Sequence, residues 1–244
     1  MSTASRRPPP AEGQSALAEA KRAFYRRPEV AAAYDAQRYG GASGAYVAER
    51  EQRIVEALLP RAGLAVDVAG GTGRLLPALA SRADRVLSLD ASWPMLERAA
   101  RRGVGRLVQA DAFALPLADG CCDAATCVRL LFHFRDPTPL LVELRRITQT
   151  GGTLVCDTAT WTPRSLVPLD GRHWGGRVSS TSRSALRAAA VAAGWRVRAE
   201  EPCFLVSPYL YRRLPPSAAR ALERLERRLP TALLCRVFWA LEAV

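Results

Sequence analysis

The residues best placed to do chemistry in this chain are small and acidic rather than nucleophilic. DVAGGTGRL at 67–75 follows an apolar run and opens an amphipathic one, so it reads as a strand-to-helix turn. Small residues there let the backbone turn tightly and approach a ligand, while free amides at the start of the following helix face it. That combination predicts a nucleotide-type cofactor. A dinucleotide fingerprint would need glycine or alanine at position 76, where Leu76 stands, and a phosphate-binding P-loop would need a Gly-Lys-Ser/Thr run, which is absent.

Two carboxylates extend the pattern. Asp90 ends the second apolar run in SLDASWPML, where a carboxylate can accept hydrogen bonds from both hydroxyls of an adenosine ribose. It can equally cap the next helix together with Ser92, since Asp and Ser both favour such positions. Asp111, in QADAFALPLADGCCDAATC at 109–127, is placed to receive the exocyclic amine of adenine while a neighbouring amide reaches a ring nitrogen. Pyrophosphate-binding sites do not need this last element.

In order and spacing, DVAGGTG, D-A-S-x-x-M-L, D-A-x-x-L-P, F-x-D-P and E-L-R-R-I-x-x-x-G-G resemble the methyltransferase type 11 family of class I S-adenosylmethionine-dependent enzymes. Ala69 stands where most members have glycine, a variant similar to that of ubiquinone and menaquinone C-methyltransferases, and Thr150 replaces the proline of the family's R-V-L-K-P-G-G. The match spans about 64–158. The resemblance implies that Asp67, Ala69, Gly71 and Gly73 line the methionine end of S-adenosyl-L-methionine and that Asp90 holds the ribose. It further implies that Ala91 and Met95 flank the adenine, that Asp111 and Ala112 read its edge, and that Cys127 lies near the sulfonium. Tyr34 and Arg38 resemble the Y-D-x-x-R segment that closes over the site, with Arg38 available for the cofactor carboxylate.

Because the cofactor carries an activated methyl group, the protein's work is mainly alignment, and a dedicated base is not required. If the acceptor must lose a proton, the candidates are His133, after the fourth apolar run, and His173, in DGRHWGG at 170–176. His133 matches a histidine of the family's L-H-H-F segment and can equally pack or cap a helix; His173 can equally serve loop packing. Arg129 is available for an acidic group of the substrate or for a structural ion pair. CVRLLFHF lacks the [DNS]-P-P-[YFW] run of flipped-base amino-methyltransferases, and Pro202-Cys203 comes too late for the nucleophile of an RNA cytosine enzyme. The expected acceptor is a small molecule and not a specific nucleic acid.

These residues need a scaffold, and the alternation around them supplies one. Apolar runs at 64–68, 85–89, 105–109, 122–128 and 152–158 are separated by helical patterns around 74–82, 92–102 and 137–149. Parallel strands require crossover connections, so the fold expected is α/β: a doubly wound, mostly parallel seven-stranded sheet with helices on both faces, as in Rossmann-like class I methyltransferases. Residues 1–15 read as a disordered tail and 16–60 as an N-terminal helical cap, with helices around 16–37 and 45–59. Residues 61–244 read as the methyltransferase domain. WRVRAE at 195–200 suits a sixth strand after a helix at 180–195, and VFWALEAV at 237–244 a seventh. The stretch at about 203–236, with a basic amphipathic helix at 217–229, is then an insertion that could cover the acceptor pocket, anchor to a membrane, or simply present a solvated basic side.

Composition adds bounds. The net charge of +12 comes almost wholly from arginine, since Lys21 is the one lysine among 35 basic residues, and it favours encounters with anionic partners. The six cysteines show no metal-ligand spacing, and buried free thiols are expected; no metal site is predicted. The first residues lack the apolar stretch of a secretory signal and no run is long enough to span a bilayer. A cytoplasmic protein is expected, with peripheral contact to anionic membrane as the alternative. Three functions remain open: methyl transfer to a small apolar or acidic metabolite, methyl transfer to a quinone or polyprenyl lipid at a membrane surface, and cofactor binding without catalysis.

Overall fold

The computed structural model describes residues 12–160 and 179–244. His173 and most of the expected N-terminal tail lie outside the described residues. Seven strands form one sheet: β1 (Ala62–Val68), β2 (Ala83–Asp90), β3 (Arg106–Gln109), β4 (Cys122–Cys127), β5 (Thr148–Ala159), β6 (Trp195–Cys203) and β7 (Arg236–Ala243). Their order is β3-β2-β1-β4-β5-β7-β6, parallel throughout except for β7, which runs antiparallel to both its neighbours. The reversal between β1 and β4 places the carboxyl ends of β1, β2, β3 and β4 around one crevice, where open α/β sheets bind ligands.

Both faces of the sheet are covered, which is why its strands read as nearly continuous apolar runs. Along β7, Val237, Trp239 and Leu241 pack on one side with Leu140, Leu144 and Trp195, while Phe238 packs on the other with Val55, Leu76 and Tyr211. The two indoles buried among the described residues are satisfied: Trp195 donates to the Leu141 carbonyl at 2.9 Å and Trp239 to Thr158 Oγ1 at 2.9 Å.

Nine α-helices lie among the described residues. The first three, α1 (Glu12–Tyr25), α2 (Pro28–Tyr39) and α3 (Gly44–Leu58), replace the expected pair, because Pro28 lacks the amide needed to continue α1 and instead opens α2. Crossovers carry α4 (Leu76–Ala80), α5 (Trp93–Ala100), α6 (Thr138–Ile147) and α7 (Arg183–Ala192). Between β6 and β7 the chain leaves the sheet as α8 (Pro208–Tyr211) and α9 (Pro216–Glu226). That excursion is docked against α3. Glu226 is buried, accepts from the amides of Phe204 and Leu205 at 3.1 and 2.7 Å and from the Tyr211 hydroxyl, and meets Arg50 of α3 at 2.5 Å.

Candidate functional site

The glycine turn after β1 is shaped by left-handed backbone at Ala69 (φ +56°), Gly71 (φ +57°) and Gly73 (φ +71°). An added Cβ would meet nothing at Gly71, which faces open space, but at Gly73 it would come within 2.7 Å of Leu76 Cδ1 and 2.8 Å of Ala99 Cβ. Gly71 therefore presents backbone to a ligand, whereas Gly73 lets the turn pack on α5. The sequence reading put both at the cofactor, and Gly73 is not brought to the cavity wall. Ala69 holds a conformation that costs an L-residue roughly 1–2 kcal/mol, strain of the kind found at binding sites.

Asp67 and Arg74 bracket this turn inside a small cavity that they share with Tyr34, Tyr39, Gly71 and Arg129. The Asp67 carboxyl accepts from Thr126 Oγ1 at 2.7 Å through one oxygen, while the buried Oδ2 has no partner among the described residues. Burial lifts its pKa to about 6, with the Thr126 hydrogen bond opposing. Arg74 spends Nη2 on Glu51 at 2.6 Å and stacks 4.5 Å from the centroid of the Tyr39 ring, yet its buried Nη1 likewise lacks a partner among the described residues. A buried orphan acceptor and a buried orphan donor in one cavity are each costly unless a ligand completes them.

Next to it lies a larger cleft, which reaches from the glycine turn to α1. Asp90, Ala91, Met95, Asp111 and Ala112 all line it, as does Tyr34. The contacts of Asp90 are to backbone amides, as the capping reading expects: one oxygen accepts from the Gly71 amide at 2.8 Å and the other from the Ser92 amide at 2.8 Å, while Ser92 Oγ caps α5 at Met95. Burial raises the Asp90 pKa, against those two hydrogen bonds. Asp111 accepts from the Phe113 amide at 3.1 Å and from Arg22 of α1 at 2.6 Å. Helix α1 thus lies over the cleft, held also by Ser92 Oγ, which donates to the Tyr25 carbonyl at 2.6 Å. The Y-D-x-x-R segment of α2 is tied to the glycine turn, with Thr72 Oγ1 donating to Asp35 at 2.7 Å.

Besides Gly73, two further assignments from sequence move. Cys127 is fully buried among core residues behind the cleft and does not line it; it is the following residues, Val128, Arg129 and Leu130, that do. Arg38 is buried with its guanidinium 5.4 Å from the ring centroids of both Tyr34 and Tyr209, stacked between elements rather than at the wall of either cavity. His133 does line the cleft.

Sequence reasoning missed the group beneath the site. Glu51 of α3 is wholly buried among Arg74, Arg129 (3.5 Å) and Arg236, and accepts from the Tyr39 hydroxyl at 3.1 Å. Burial works against its charge, but the three guanidinium groups outweigh it and hold the pKa down at about 2. Arg236 continues to Asp157 at 2.6 Å, and Asp157 accepts from the amide of Arg129 at 2.5 Å, where the backbone again turns left-handed (φ +70°). Arg129 is thereby part of a structural ion cluster, and through its place in both cavity walls it remains a candidate for contact with an acidic group.

A seven-stranded sheet of this order, with a glycine turn after β1 and acidic residues ending β2 and following β3, defines the class I methyltransferase architecture. Residues 66–156 match the model of a methyltransferase domain family. The cofactor of that class is S-adenosyl-L-methionine. The chain is 39% identical over 114 residues to the demethylmenaquinone methyltransferase of Thermobifida fusca, covering 44% of this chain and 47% of that one. It is 35% identical over 134 residues to the protein of the same name from Thermus thermophilus, covering 52% and 61%. The chain spans about half the length of the curated relatives it matches. Among solved structures, a SAM-dependent methyltransferase from Thermotoga maritima, described as a possible histamine N-methyltransferase, superposes with a TM-score of 0.66 at 20% identity, covering 93% of this chain and 99% of that one. Geranyl diphosphate C-methyltransferase from Streptomyces coelicolor superposes with a TM-score of 0.62 at 19% identity, covering 80% and 79%. At these identities the structures speak for the fold.

Proposed function

We propose that this chain transfers a methyl group from S-adenosyl-L-methionine to a small-molecule acceptor. The observation that carries the reading is the pair of orphaned atoms in the small cavity. Asp67 Oδ2 can accept only from a donor and Arg74 Nη1 can donate only to an acceptor. An α-amino acid zwitterion supplies both: its ammonium suits Asp67 and its carboxylate suits Arg74. In this reading Ala69 and Gly71 approach the methionyl chain, Asp90 turns to the ribose hydroxyls, Ala91 and Met95 flank the adenine, and Asp111 and Ala112 read its edge. Tyr34, which lines both cavities, sits where the methionine and adenosine ends join.

The cofactor supplies an activated methyl group. This chain's residues fix the donor, exclude water under α1 and present an acceptor in line, which in favourable cases lowers a barrier by roughly 7–11 kcal/mol. The cleft walls toward His133 are largely apolar, with Phe113, Leu115, Leu130 and Phe134, as suits a small apolar or acidic metabolite. A second reading, a quinone or polyprenyl lipid met at a membrane surface, draws on the activity for which the curated relatives are named, demethylmenaquinone methylation. It also draws on Leu210, Leu225 and Leu233, exposed on the excursion between β6 and β7 beside exposed arginines. No helix among the described residues is long and apolar enough to cross a membrane.

Calorimetry with S-adenosylhomocysteine and with 5′-methylthioadenosine, which lacks the amino acid end, tests the binding part. The first should bind at least about 10-fold more tightly, and Arg74→Ala should erase most of that gap; no binding of either ligand refutes the proposal. Incubation with methyl-labelled cofactor and separate aqueous and membrane extracts tests the rest. Label in a small soluble product supports the first reading and label in a lipid the second, while binding without any labelled product makes the chain a cofactor-binding protein.

A further inference from the structure

Arg236 opens β7 as the single charge in LLCRVFWAL, a run at 233–241 that is otherwise apolar. It is buried, and it pairs in register with Ala159 of β5 and Cys203 of β6. An apolar residue of similar size is often as stable in such a place or more so, because a buried ion pair seldom offsets its own desolvation. Stability alone therefore does not account for an arginine here. Nor does direct contact with a ligand, since Arg236 lines neither cavity. What it touches are two carboxylates that bear on the cavities: it donates from Nε to Asp157 Oδ2 at 2.6 Å and from Nη1 to Glu51 Oε1.

The two oxygens of Glu51 are divided. Oε2 accepts from Arg74 Nη2 at 2.6 Å and from the Tyr39 hydroxyl at 3.1 Å. Oε1 is held by Arg236, with Arg129 Nη1 at 3.5 Å, beyond ordinary hydrogen-bonding range. A guanidinium and a carboxylate in contact frequently pair through two parallel bonds, the strongest geometry open to them. Glu51 and Arg74 instead make one, and Arg74 Nη1 is left without a partner among the described residues. The oxygen that could have taken it is the one Arg236 holds. The second contact works toward the same cavity. With Asp157 Oδ2 held by Arg236, Oδ1 accepts from the Arg129 amide at 2.5 Å, at the left-handed turn that brings Arg129 into both cavity walls.

We propose that Arg236 is a positioning residue for the cofactor: by occupying Glu51 Oε1 it keeps Glu51 and Arg74 from closing into a two-bond pair, and so keeps Arg74 Nη1 open to the carboxylate of the amino acid end. This rests on the methyl-transfer reading above, in which Arg74 meets that carboxylate. Charge works in the same direction. Arg74, Arg129 and Arg236 carry three positive charges against two negative ones on Glu51 and Asp157, so the cluster holds one in excess beside the small cavity. A ligand carboxylate balances it, as the ammonium balances Asp67. Burial raises the Glu51 pKa, and of the charges that overcome burial Arg236 is the largest, ahead of Arg74 and Arg129. Without Arg236, Glu51 keeps Arg74 at hydrogen-bond distance and has an oxygen to spare for it.

Calorimetry with S-adenosylhomocysteine and 5′-methylthioadenosine reads this directly, because only the first carries the carboxylate. In Arg236→Met the preference for S-adenosylhomocysteine should shrink from at least about 10-fold to within about 2-fold, with affinity for 5′-methylthioadenosine unchanged. Adding Glu51→Gln to that variant leaves one acceptor oxygen in place of two and should restore most of the preference. A purely structural loss would instead weaken both ligands together. Arg236→Lys keeps the buried charge but not the fork that reaches both carboxylates, so its preference should fall between those of wild type and Arg236→Met; it decides the matter if the methionine variants do not fold. A wild-type preference in a folded Arg236 variant, an equal loss for both ligands, or a double variant that recovers nothing overturns the proposal. If the wild-type protein binds neither ligand, or both alike, the cofactor reading itself fails; if it shows the preference and the variants keep it, only the role of Arg236 falls.

Discussion

Replacing Asp67 by asparagine should make the cofactor-free protein more stable and a worse binder. The substitution keeps the shape of the side chain and an oxygen for Thr126 Oγ1, and removes a charge that is almost entirely out of water. The carboxyl's pKa rises from 3.8 to about 6 on folding, which at about 1.4 kcal/mol per pH unit is a penalty of roughly 3 kcal/mol on the ionised form. Because the folded value lies above the unfolded one, the wild-type protein has no such penalty below pH 3.8 and bears all of it above about pH 6. Thermal unfolding of the two proteins should therefore coincide near pH 4 and separate by roughly 6–12 °C near pH 7.5, given roughly 2–4 °C per kcal/mol for a domain of this size. Cofactor affinity should fall by about 10- to 150-fold, the loss of one charge-assisted hydrogen bond of roughly 1.5–3 kcal/mol. An equal stability gain at both pH values, or unchanged affinity, would refute the idea that Asp67 is held ionised, at a cost in stability, for an ammonium group.

The two glycines of the turn should part company: Gly71→Ala should stay folded and bind cofactor at least about 10-fold more weakly. Gly73→Ala should lower stability by roughly 1–3 kcal/mol through overpacking against Leu76 and Ala99, as chemical denaturation will read. Glu51→Gln should cost about 3–5 kcal/mol at neutral pH by leaving three buried guanidinium groups short of a counter-charge. Since the Glu51 pKa is depressed from 4.5 to about 2, that difference between wild type and variant should shrink as pH falls from 4.5 toward 2. Asp90→Ala should weaken cofactor binding by roughly 1.5–3 kcal/mol in calorimetry. Hydrogen exchange across 203–236 should slow on addition of acceptor if the excursion is a lid and on addition of anionic vesicles if it is an anchor, and neither if it is a plain cover.

What was readable in the sequence was whatever local pattern dictates. Six strands announced themselves as short apolar runs and β6 by the alternation of WRVRAE, which suits its place at the sheet's edge, and Asp67, Asp90 and Asp111 were found because each stands at or just beyond a strand's carboxyl end. The break at Pro28 was also there to be seen, but the apolar spacing on either side of it reads straight through. Gly71 and Gly73 look alike in a motif and differ only in what stands behind them, Leu76 and Ala99 in one case and nothing in the other. Glu51, in the run EREQR, has the appearance of an exposed helical charge, and Arg74 of an ordinary helix-start residue. Their roles come from three arginines brought together from separate elements, a relation no local pattern encodes.

The strand that comes last in sequence order is not last in space. β7 sits between β5 and β6, antiparallel to each, and it brings Arg236 to Glu51 and Asp157. During synthesis, then, β5 and β6 must wait with open edges while the whole 203–236 excursion is made, and the apolar stretch that will join them is still inside the ribosome. The early half of the sheet can form vectorially as it emerges. The ion cluster under the cofactor turn cannot close until the chain reaches Arg236, so a nascent protein of this kind is committed to finishing its site and its sheet in the same late event.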